Sequence, residues 1–318
     1  MEALTVAVRA LHIATCVALF GEFVFFVFVA WPSLQIGGDA GKQAALRRRL
    51  VALCGWLLFA ALASGGLWLA IQAASMSGEP LPRALGRETL GAVLTQTLFG
   101  NVWMARLGIC LALGLIVLLA RPGSTERDRL VFGACALLAG LLLASISLAG
   151  HANAERGADR FVHLTADAFH LLGAGAWLGA LPPLAAALAQ HREASAEDLD
   201  AAARAASRFS SLGIVSVAVL LVTGTVNAWY TVGTLTALVG TPYGQLLLVK
   251  LGLFGAMFAL AGFNRTRLTP LLARNMRIRA IAAAKLRRNA VAEAILGVGI
   301  LIVVGALGVS LPAIHAQH

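Results

Sequence analysis

The sequence predicts an all-α protein, a polytopic membrane helical bundle of about eight transmembrane helices with both termini outside. Three observations support this prediction: an apolar composition, eight long apolar runs, and basic residues concentrated in alternate loops. Of the 318 residues, 59% are hydrophobic and only 13% are charged. Because a soluble globular chain is about 25% charged, the composition indicates an integral membrane protein.

The predicted spans follow from the lengths of the apolar runs. A helix needs about 20 apolar residues to cross a bilayer, and the chain holds eight such runs. They cover residues 4–31, 50–76, 101–120, 130–150, 161–189, 209–232, 244–264 and 289–311. The stretch MSGEPLPRALGRETLGAVLTQTLFG, between the second and third runs, is amphipathic and is expected to lie along the membrane surface. We therefore expect a single integral membrane domain over residues 1–318.

Lysine and arginine residues are concentrated in the loops after the first, third, fifth and seventh predicted spans. These loops hold eighteen Lys and Arg residues, and the alternate loops hold four. Cytoplasmic loops carry the excess of basic residues, so both termini are predicted to lie in the periplasm of a bacterial inner membrane. The net charge of +10 is explained in the same way, with the lipid bilayer as partner and no nucleic acid.

Several classes of function are excluded by motifs that the sequence lacks. It has no GxxxxGK[ST] phosphate loop, no CxxC pair and no Cys/His zinc-finger spacing, which argues against a pump powered by ATP. Its four cysteines lie far apart within apolar runs, unlike a disulfide framework. They are Cys16, Cys54, Cys110 and Cys135. The N-terminal run lacks a signal-peptide pattern and is interpreted as a retained helix. No substrate pocket is recognisable, so the protein is predicted not to be an enzyme.

Polar residues of metal-ligating type are concentrated where the fifth predicted span begins, in HANAERGADRFVHLTADAFH at 151–170. His163, Asp167 and His170 follow one another at i, i+4 and i+7, which places them on one face of a helix. With a rise of about 1.5 Å per residue, His170 lies about 10 Å deeper than His163. The spacing therefore predicts a polar ladder that runs from the outer surface into the bilayer.

Two further histidines are expected near this ladder. His151 lies on the preceding loop and can fold over its outer end, while His12 in the first span can meet His170 at a similar depth. Cys16 is one turn below His12 on the same face. Ionisable groups inside a membrane are costly and are candidates for function. Imidazole and thiolate are suitable ligands for copper and zinc. Asp167 could ligate directly or orient a ligating imidazole.

The predicted metal ligands are His151, His163, His170, His12 and Asp167. Structural explanations stay open for each of them alone. His163 could bond lipid head groups, Asp167 could pair with Arg160 or another helix, and His170 could bond a facing carbonyl. Participation is also left open for Cys16, Met76, Met104, Lys250, His315 and His318.

The second half of the chain resembles the copper-resistance protein D (CopD) family of bacterial inner-membrane proteins. The matching pieces are GHA at 150–152, HLTADAFHLLGAGAWLGAL at 163–181, RFS at 208–210, TG at 223–224, YGQLLLVKLGLF at 243–254, FNRTRLTPLL at 263–272 and LRRNAVAEAILGVGILIVVGALGVSLP at 286–312. In the first span, LH at 11–12 and the following GEF are also similar to the family. Their order and spacing together carry the resemblance.

The resemblance implies eight membrane helices and a role in copper handling. Such proteins are thought to take copper from the periplasm, often from a small soluble partner of the CopC type, and to move it into or across the inner membrane. The expected copper ligands are His151, His163 and His170. This chain lacks the soluble copper-binding domain or Met/His-rich segments of some relatives, so a first copper acceptor has to be a separate protein unless copper enters unaided.

Two other functions compete with copper import. A b-type haem cytochrome would use His12, His163 and His170 as axial ligands, and a copper sensor or chaperone would bind the metal without transporting it. The sequence gives no clear set of soft ligands on the inner side, so translocation is implied by the resemblance alone. The sequence leaves the oligomeric state open.

Overall fold

The computed structural model describes residues 2–34, 40–120, 125–149, 157–189 and 196–315. Throughout these ranges the regular structure is helical. Eight segments are long and apolar enough to cross a membrane, which confirms the predicted all-α bundle. In chain order the spans are Glu2–Ser33, Ala44–Ser77, Leu98–Leu119, Arg127–Ala149, Gly157–Ala189, Ala196–Thr231, Pro242–Ala273 and Met276–Leu307.

The main helices of the spans are Glu2–Val24, Ala40–Ser77, Leu98–Leu119, Thr125–Ala144, Gly157–Leu178, Ala196–Thr231, Pro242–Phe263 and Met276–Leu307. Shorter α-helices cover Trp31–Leu34, Leu81–Ala84, Arg87–Gln96, Leu181–Ala189 and Leu235–Gly240. The first span passes through a π-helical segment, Phe25–Ala30, before it ends. The amphipathic stretch between the second and third spans is helical in part, and its position at the membrane surface stays a prediction.

Several spans extend further toward the basic loops than hydropathy predicted, and the sixth and eighth do so the most. The sixth was expected from residue 209, and its helix begins at Ala196; the eighth was expected at 289–311, and its helix is Met276–Leu307. The added residues are rich in Ala, Leu, Arg and Lys, which favour helix. Hydropathy therefore locates the start of the apolar segment, whereas the helix itself begins several turns before that point.

The first span lies at the centre of the bundle. In its most apolar window 72% of residues are buried, against 6% for the seventh span. It passes close to the fifth span, where a Cβ on Gly21 would overlap the carbonyl carbon of Gly179. Small residues let membrane helices approach closely, so these two glycines bring the first and fifth backbones into contact.

The two halves of the chain contain corresponding segments. Thr97 Oγ1 accepts a hydrogen bond from the Gly100 N–H, and Thr241 Oγ1 accepts one from the Gly244 N–H, both at 3.0 Å. Each glycine lies against the carbonyls of a preceding short helix. The stretches TLFGNVWMARLG and TPYGQLLLVKLG, which begin at these threonines, both end in a basic residue followed by Leu-Gly. The third and seventh spans therefore start in the same way.

The first and fifth spans correspond as well. His12 precedes Gly21 by nine residues, and His170 precedes Gly179 by nine residues. Because Gly21 and Gly179 touch each other, the two histidines stand at matching positions on either side of this helix crossing.

Candidate metal centre

His12 is held in one tautomer by the second span. Its Nδ1 lies 3.1 Å from Ser64 Oγ, and that hydroxyl donates to the Ala60 carbonyl at 2.6 Å. Since the Ser64 proton is already used, Nδ1–H is the donor and the lone pair of the ring is on Nε2. Nε2 faces Cys16 Sγ at 3.8 Å, close enough for a weak S–H···N hydrogen bond. A nitrogen and a sulfur donor therefore meet in the first span.

The His12–Cys16 pair is enclosed by protein. His12 is 4% exposed and Cys16 is 0% exposed. The ring of Trp68 lies 5.5 Å from the imidazole, centroid to centroid. The indole N–H of Trp103 donates to the carbonyl of the neighbouring Gly65 at 3.1 Å. The two donor atoms thus lie in a closed, largely apolar pocket between the first three spans.

A buried cation borders the pair. The guanidinium of Arg106 donates to the side chain and the carbonyl of Ser145, both at 2.8 Å, and interacts electrostatically with Cys16 and Cys110. Among the described residues no carboxylate forms an ion pair with Arg106. An uncompensated buried charge is costly, so a thiolate at Cys16 would be stabilised by this arginine.

His170 is oriented by the sixth span in the same way. Its Nδ1 lies 3.1 Å from Thr223 Oγ1, and Thr223 donates to the Val219 carbonyl at 2.7 Å. Nδ1–H is again the donor, and Nε2 again carries the lone pair. Here, however, Lys250 Nζ lies 3.4 Å from Nε2 and donates to it. Both ring nitrogens of His170 are therefore engaged by protein.

Glycines complete the match between the two histidines. Gly65 follows Ser64, and Gly224 follows Thr223. A Cβ at these two glycines would lie 3.1 Å and 3.3 Å from the Cε1 atom of the adjacent imidazole. The pair Ser-Gly or Thr-Gly on a neighbouring helix thus provides both the acceptor for Nδ1–H and the space for the ring.

His163 and Asp167, the outer part of the predicted ladder, also face the sixth span. His163 is 3% exposed, and its ring stacks on Tyr230 at 4.9 Å between centroids. The hydroxyl of Tyr230 donates to Asp159 Oδ1 at 3.0 Å. Asn227 Nδ2 donates to Asp167 Oδ1 at 3.3 Å. The ladder predicted from spacing therefore lies at a helix interface.

Asp167 links the two halves electrostatically. Its carboxylate acts on Lys250 of the seventh span and on Arg9 of the first. The guanidinium of Arg9 lies 4.9 Å from the ring centroid of Trp68, beside His12. Asp167 thus stands between two cations, which favours a charge-balancing role at least as well as direct metal ligation.

The predicted ligands are not gathered at one point in the described ranges. No group of three or more His, Cys, Asp or Glu side chains there is arranged to hold a metal ion. His151 lies outside the described residues. His12 contacts the second span, while His170 contacts the sixth and seventh. The donor set that comes together, imidazole with thiol, fits monovalent copper, because soft sulfur ligands select Cu(I).

Sequence reasoning missed the residues that orient these histidines. Ser64 and Thr223 are not among the residues predicted from the sequence, and the role of Lys250 is left open there. A signal was present: the Ser-Gly and Thr-Gly pairs occur in the spans that directly follow those of the two histidines, and the Thr-x-x-Gly and basic-Leu-Gly pattern recurs in the third and seventh spans. Comparison of the two halves would have located them.

The fold and the buried polar groups define a multi-pass helical membrane protein with a histidine–cysteine pair in its core. The family model described as Copper resistance protein D matches residues 203–307. The model described as Copper resistance protein D-like, N-terminal domain, matches residues 1–161. The chain belongs to the copper resistance protein D family. The two family models cover the first half and most of the second half separately.

Similar proteins include Copper resistance protein D of Pseudomonas syringae pv. tomato, 32% identical over 85% of this chain and 83% of the relative. Inner membrane protein YebZ of Escherichia coli (strain K12) is 31% identical over 83% of this chain and 84% of the relative. Copper transport protein CutJ of Bacillus subtilis (strain 168) is 29% identical over 78% of this chain but 43% of the relative. No solved structure matches.

These comparisons confirm the family recognised from the sequence motifs. Together with the eight apolar helices, they also confirm the expected localisation as a multi-pass inner-membrane protein. The family is one of copper resistance and transport proteins and not of enzymes.

Proposed function

We propose that this protein imports copper across the inner membrane, with its basic loops in the cytoplasm and both termini in the periplasm. The observation that carries the proposal is the buried His12–Cys16 pair, with Nε2 and Sγ 3.8 Å apart. The pair supports the proposal because imidazole nitrogen and thiol sulfur are suitable copper ligands in a chain of a copper resistance family. Copper is the cargo, and it is bound as Cu(I) at this pair.

The chemistry of binding follows from the hydrogen bonds. The proton of the thiol lies between Sγ and Nε2, and a Cu(I) ion would replace it. The Nδ1–H bond to Ser64 is the outer-shell contact that metal-ligating histidines usually have. Arg106 offsets negative charge on the thiolate, and the closed apolar surroundings exclude water.

The outer residues are proposed to capture copper first. His163 and Asp167, together with His151, are the predicted periplasmic ligands on the path to the interior, and His170 is the deepest member of that set. The described part of the chain contains no soluble copper-binding domain, so a periplasmic protein of the CopC type is the proposed donor. Lys250 has to leave Nε2 before His170 can ligate a metal.

Further cysteines support an inward route through the first half. Cys54 and Cys135 are 0% exposed, and Cys54 interacts electrostatically with Cys135 and with Glu22. Glu22 lies six residues beyond Cys16 in the first span, which corresponds to about 9 Å along a helix. Soft donors are therefore present in the half of the bundle nearer the basic loops, where the sequence alone gave little evidence for them.

The test is Cu(I) binding to the reduced, detergent-purified protein, measured by competition with a Cu(I)-specific chelator. We expect one ion per chain, with sulfur and nitrogen in its X-ray absorption spectrum. Cys16→Ser and His12→Gln should each abolish this binding. Met257→Leu is the matched control, because it removes a buried sulfur from the seventh span at nearly constant volume.

Import is then measured with a Cu(I)-responsive dye inside proteoliposomes. Binding without flux would replace import by a sensor or chaperone role. A Soret absorption band in the purified protein would replace copper binding by a b-type cytochrome. Unchanged copper binding in both Cys16→Ser and His12→Gln would overturn the assignment of this pair, provided that both variants elute from size exclusion like the wild type.

A further inference from the structure

A cavity of about 430 Å³ opens near the basic end of the bundle, away from the two histidines. It is lined by parts of the fifth to eighth spans, and most of its wall is apolar. The side chains that bear on its chemistry are Trp177, Ser210, Asn264, Arg265 and Glu293. A carboxyl group in such a wall requires an explanation, because burial of an unpaired charge is costly.

Glu293 ends a chain of oriented hydrogen bonds. It is 2% exposed. Asn289 Nδ2 donates to Asn264 Oδ1 at 2.6 Å, and Asn264 Nδ2 donates to Glu293 Oε1 at 2.8 Å. These bonds link the seventh and eighth spans and hold the carboxyl group at its Oε1 atom. One of its two oxygens is thereby satisfied.

The other oxygen, Oε2, is buried without a hydrogen-bond partner. The indole of Trp177 lies beside the carboxyl group, yet its N–H also makes no hydrogen bond of good geometry. Within the described ranges, no Lys, Arg or His side chain forms an ion pair with Glu293. Arg265 is the charged side chain that shares the cavity, and its NH1 group donates to Ser210 Oγ at 2.8 Å.

We propose that Glu293 is a reversible proton-binding site, reached from the basic end through this cavity, and that copper import requires its proton exchange. The free Oε2 atom takes the proton, and loss of the proton restores a carboxylate that accepts from Asn264 and lies beside the indole of Trp177. The link to import rests on the proposed copper function, whereas the proton site itself does not. Counter-movement of one proton per Cu(I) would make the net charge transferred across the membrane zero.

The proton site is tested by infrared difference spectra of the full-length protein in vesicles between two pH values. We expect a carbonyl-stretch band from a protonated, buried carboxyl group. The band should be lost in Glu293→Gln, shifted in Glu293→Asp and unchanged in Glu197→Gln, which removes an exposed carboxylate from the start of the sixth span. A spectrum of Glu293→Gln identical to that of the wild type would overturn the proposal.

Its link to transport is tested in proteoliposomes with an imposed pH gradient. Wild-type copper flux should rise several-fold with the gradient, and Glu293→Gln should lose that stimulation while it binds Cu(I) with unchanged stoichiometry. Stimulation retained in Glu293→Gln would overturn the requirement for proton exchange. If the wild type neither binds nor moves copper, the proposed function fails, and the infrared result still decides the proton site.

Discussion

His12 and His170 are oriented in the same way and differ in the group that faces Nε2. In each, Nδ1–H is directed to a hydroxyl on the next span, and that hydroxyl donates to its own helix. At His12 the free Nε2 faces the thiol of Cys16, whereas at His170 it accepts from Lys250. The same hydrogen bond at Nδ1 can therefore orient an imidazole for metal binding or for an internal hydrogen bond. The group that faces Nε2 determines which of the two the imidazole makes.

Two residue differences between the halves explain why Nε2 faces a thiol in one and an ammonium group in the other. The position that corresponds to Cys16 in the fifth span is Ala174, four residues after the histidine in each case. The basic residues of the third and seventh spans also correspond, but Arg106 bonds to Ser145 while Lys250 reaches the imidazole. The first half thus has a sulfur donor, Cys16, next to its histidine, and its cation, Arg106, bonds elsewhere. The second half has Ala174 in place of the sulfur donor, and its cation, Lys250, bonds to the histidine.

The largest expected effect comes from conversion of the second site into the first. The double variant Ala174→Cys/Lys250→Met supplies a sulfur donor and removes the competing ammonium, so we expect copper stoichiometry to rise from one to two ions per chain. Chelator competition and elemental analysis measure this change. Lys250→Met alone is the control and should stay at one ion. If the double variant also stays at one, the correspondence between the two surroundings is not functional.

The hydroxyl partners separate the two sites next. Ser64→Ala removes the acceptor for Nδ1–H of His12 and should weaken Cu(I) binding about 10–100-fold, the usual effect of loss of an outer-shell partner. Thr223→Ala makes the same change at His170 and should leave copper affinity within about twofold, since that ring does not hold the bound ion. If Ser64→Ala and Thr223→Ala weakened Cu(I) binding equally, the prediction that copper binds at His12 and not at His170 would be wrong.

The sequence was sufficient for the spans because apolar length is a local property. It also placed His163, Asp167 and His170 on one helix face, and the structure directs all three toward the sixth span. The contacts of Ser64 with His12 and of Lys250 with His170 depend on which helices are neighbours, and hydropathy carries no such information. Residues 52 and 80 positions apart in sequence meet here, so the site had to be read from packing.

The crossing of the first and fifth spans should be sensitive to a single methyl group. A Cβ on Gly21 would overlap the backbone of Gly179, and overpacking of this kind costs about 1–3 kcal/mol. We expect Gly21→Ala to lower the midpoint of thermal unfolding and to weaken copper binding at both the native and the engineered site. Gly55→Ala is the control, since a Cβ there has nothing within 4 Å. If the two variants were equally stable, the packing of Gly21 against Gly179 would not stabilise the contact between the two halves.

A pH dependence of copper affinity also distinguishes the two kinds of site. At His12 the Nε2 atom carries no proton of its own, so Cu(I) displaces only the thiol proton of Cys16. Ligands must be deprotonated to bind a metal, and with one proton released per ion the apparent Kd should rise about tenfold for each pH unit of acidification. Chelator competition between pH 8 and 6.5, which are about half a unit and about two units below the free thiol pKa of about 8.5, covers this range. A site of histidines alone would change little until the pH falls to about 6.5, the ordinary imidazole pKa. A flat profile over this interval would therefore exclude Cys16 as a ligand, and a slope of one proton per copper would support the thiol–imidazole pair.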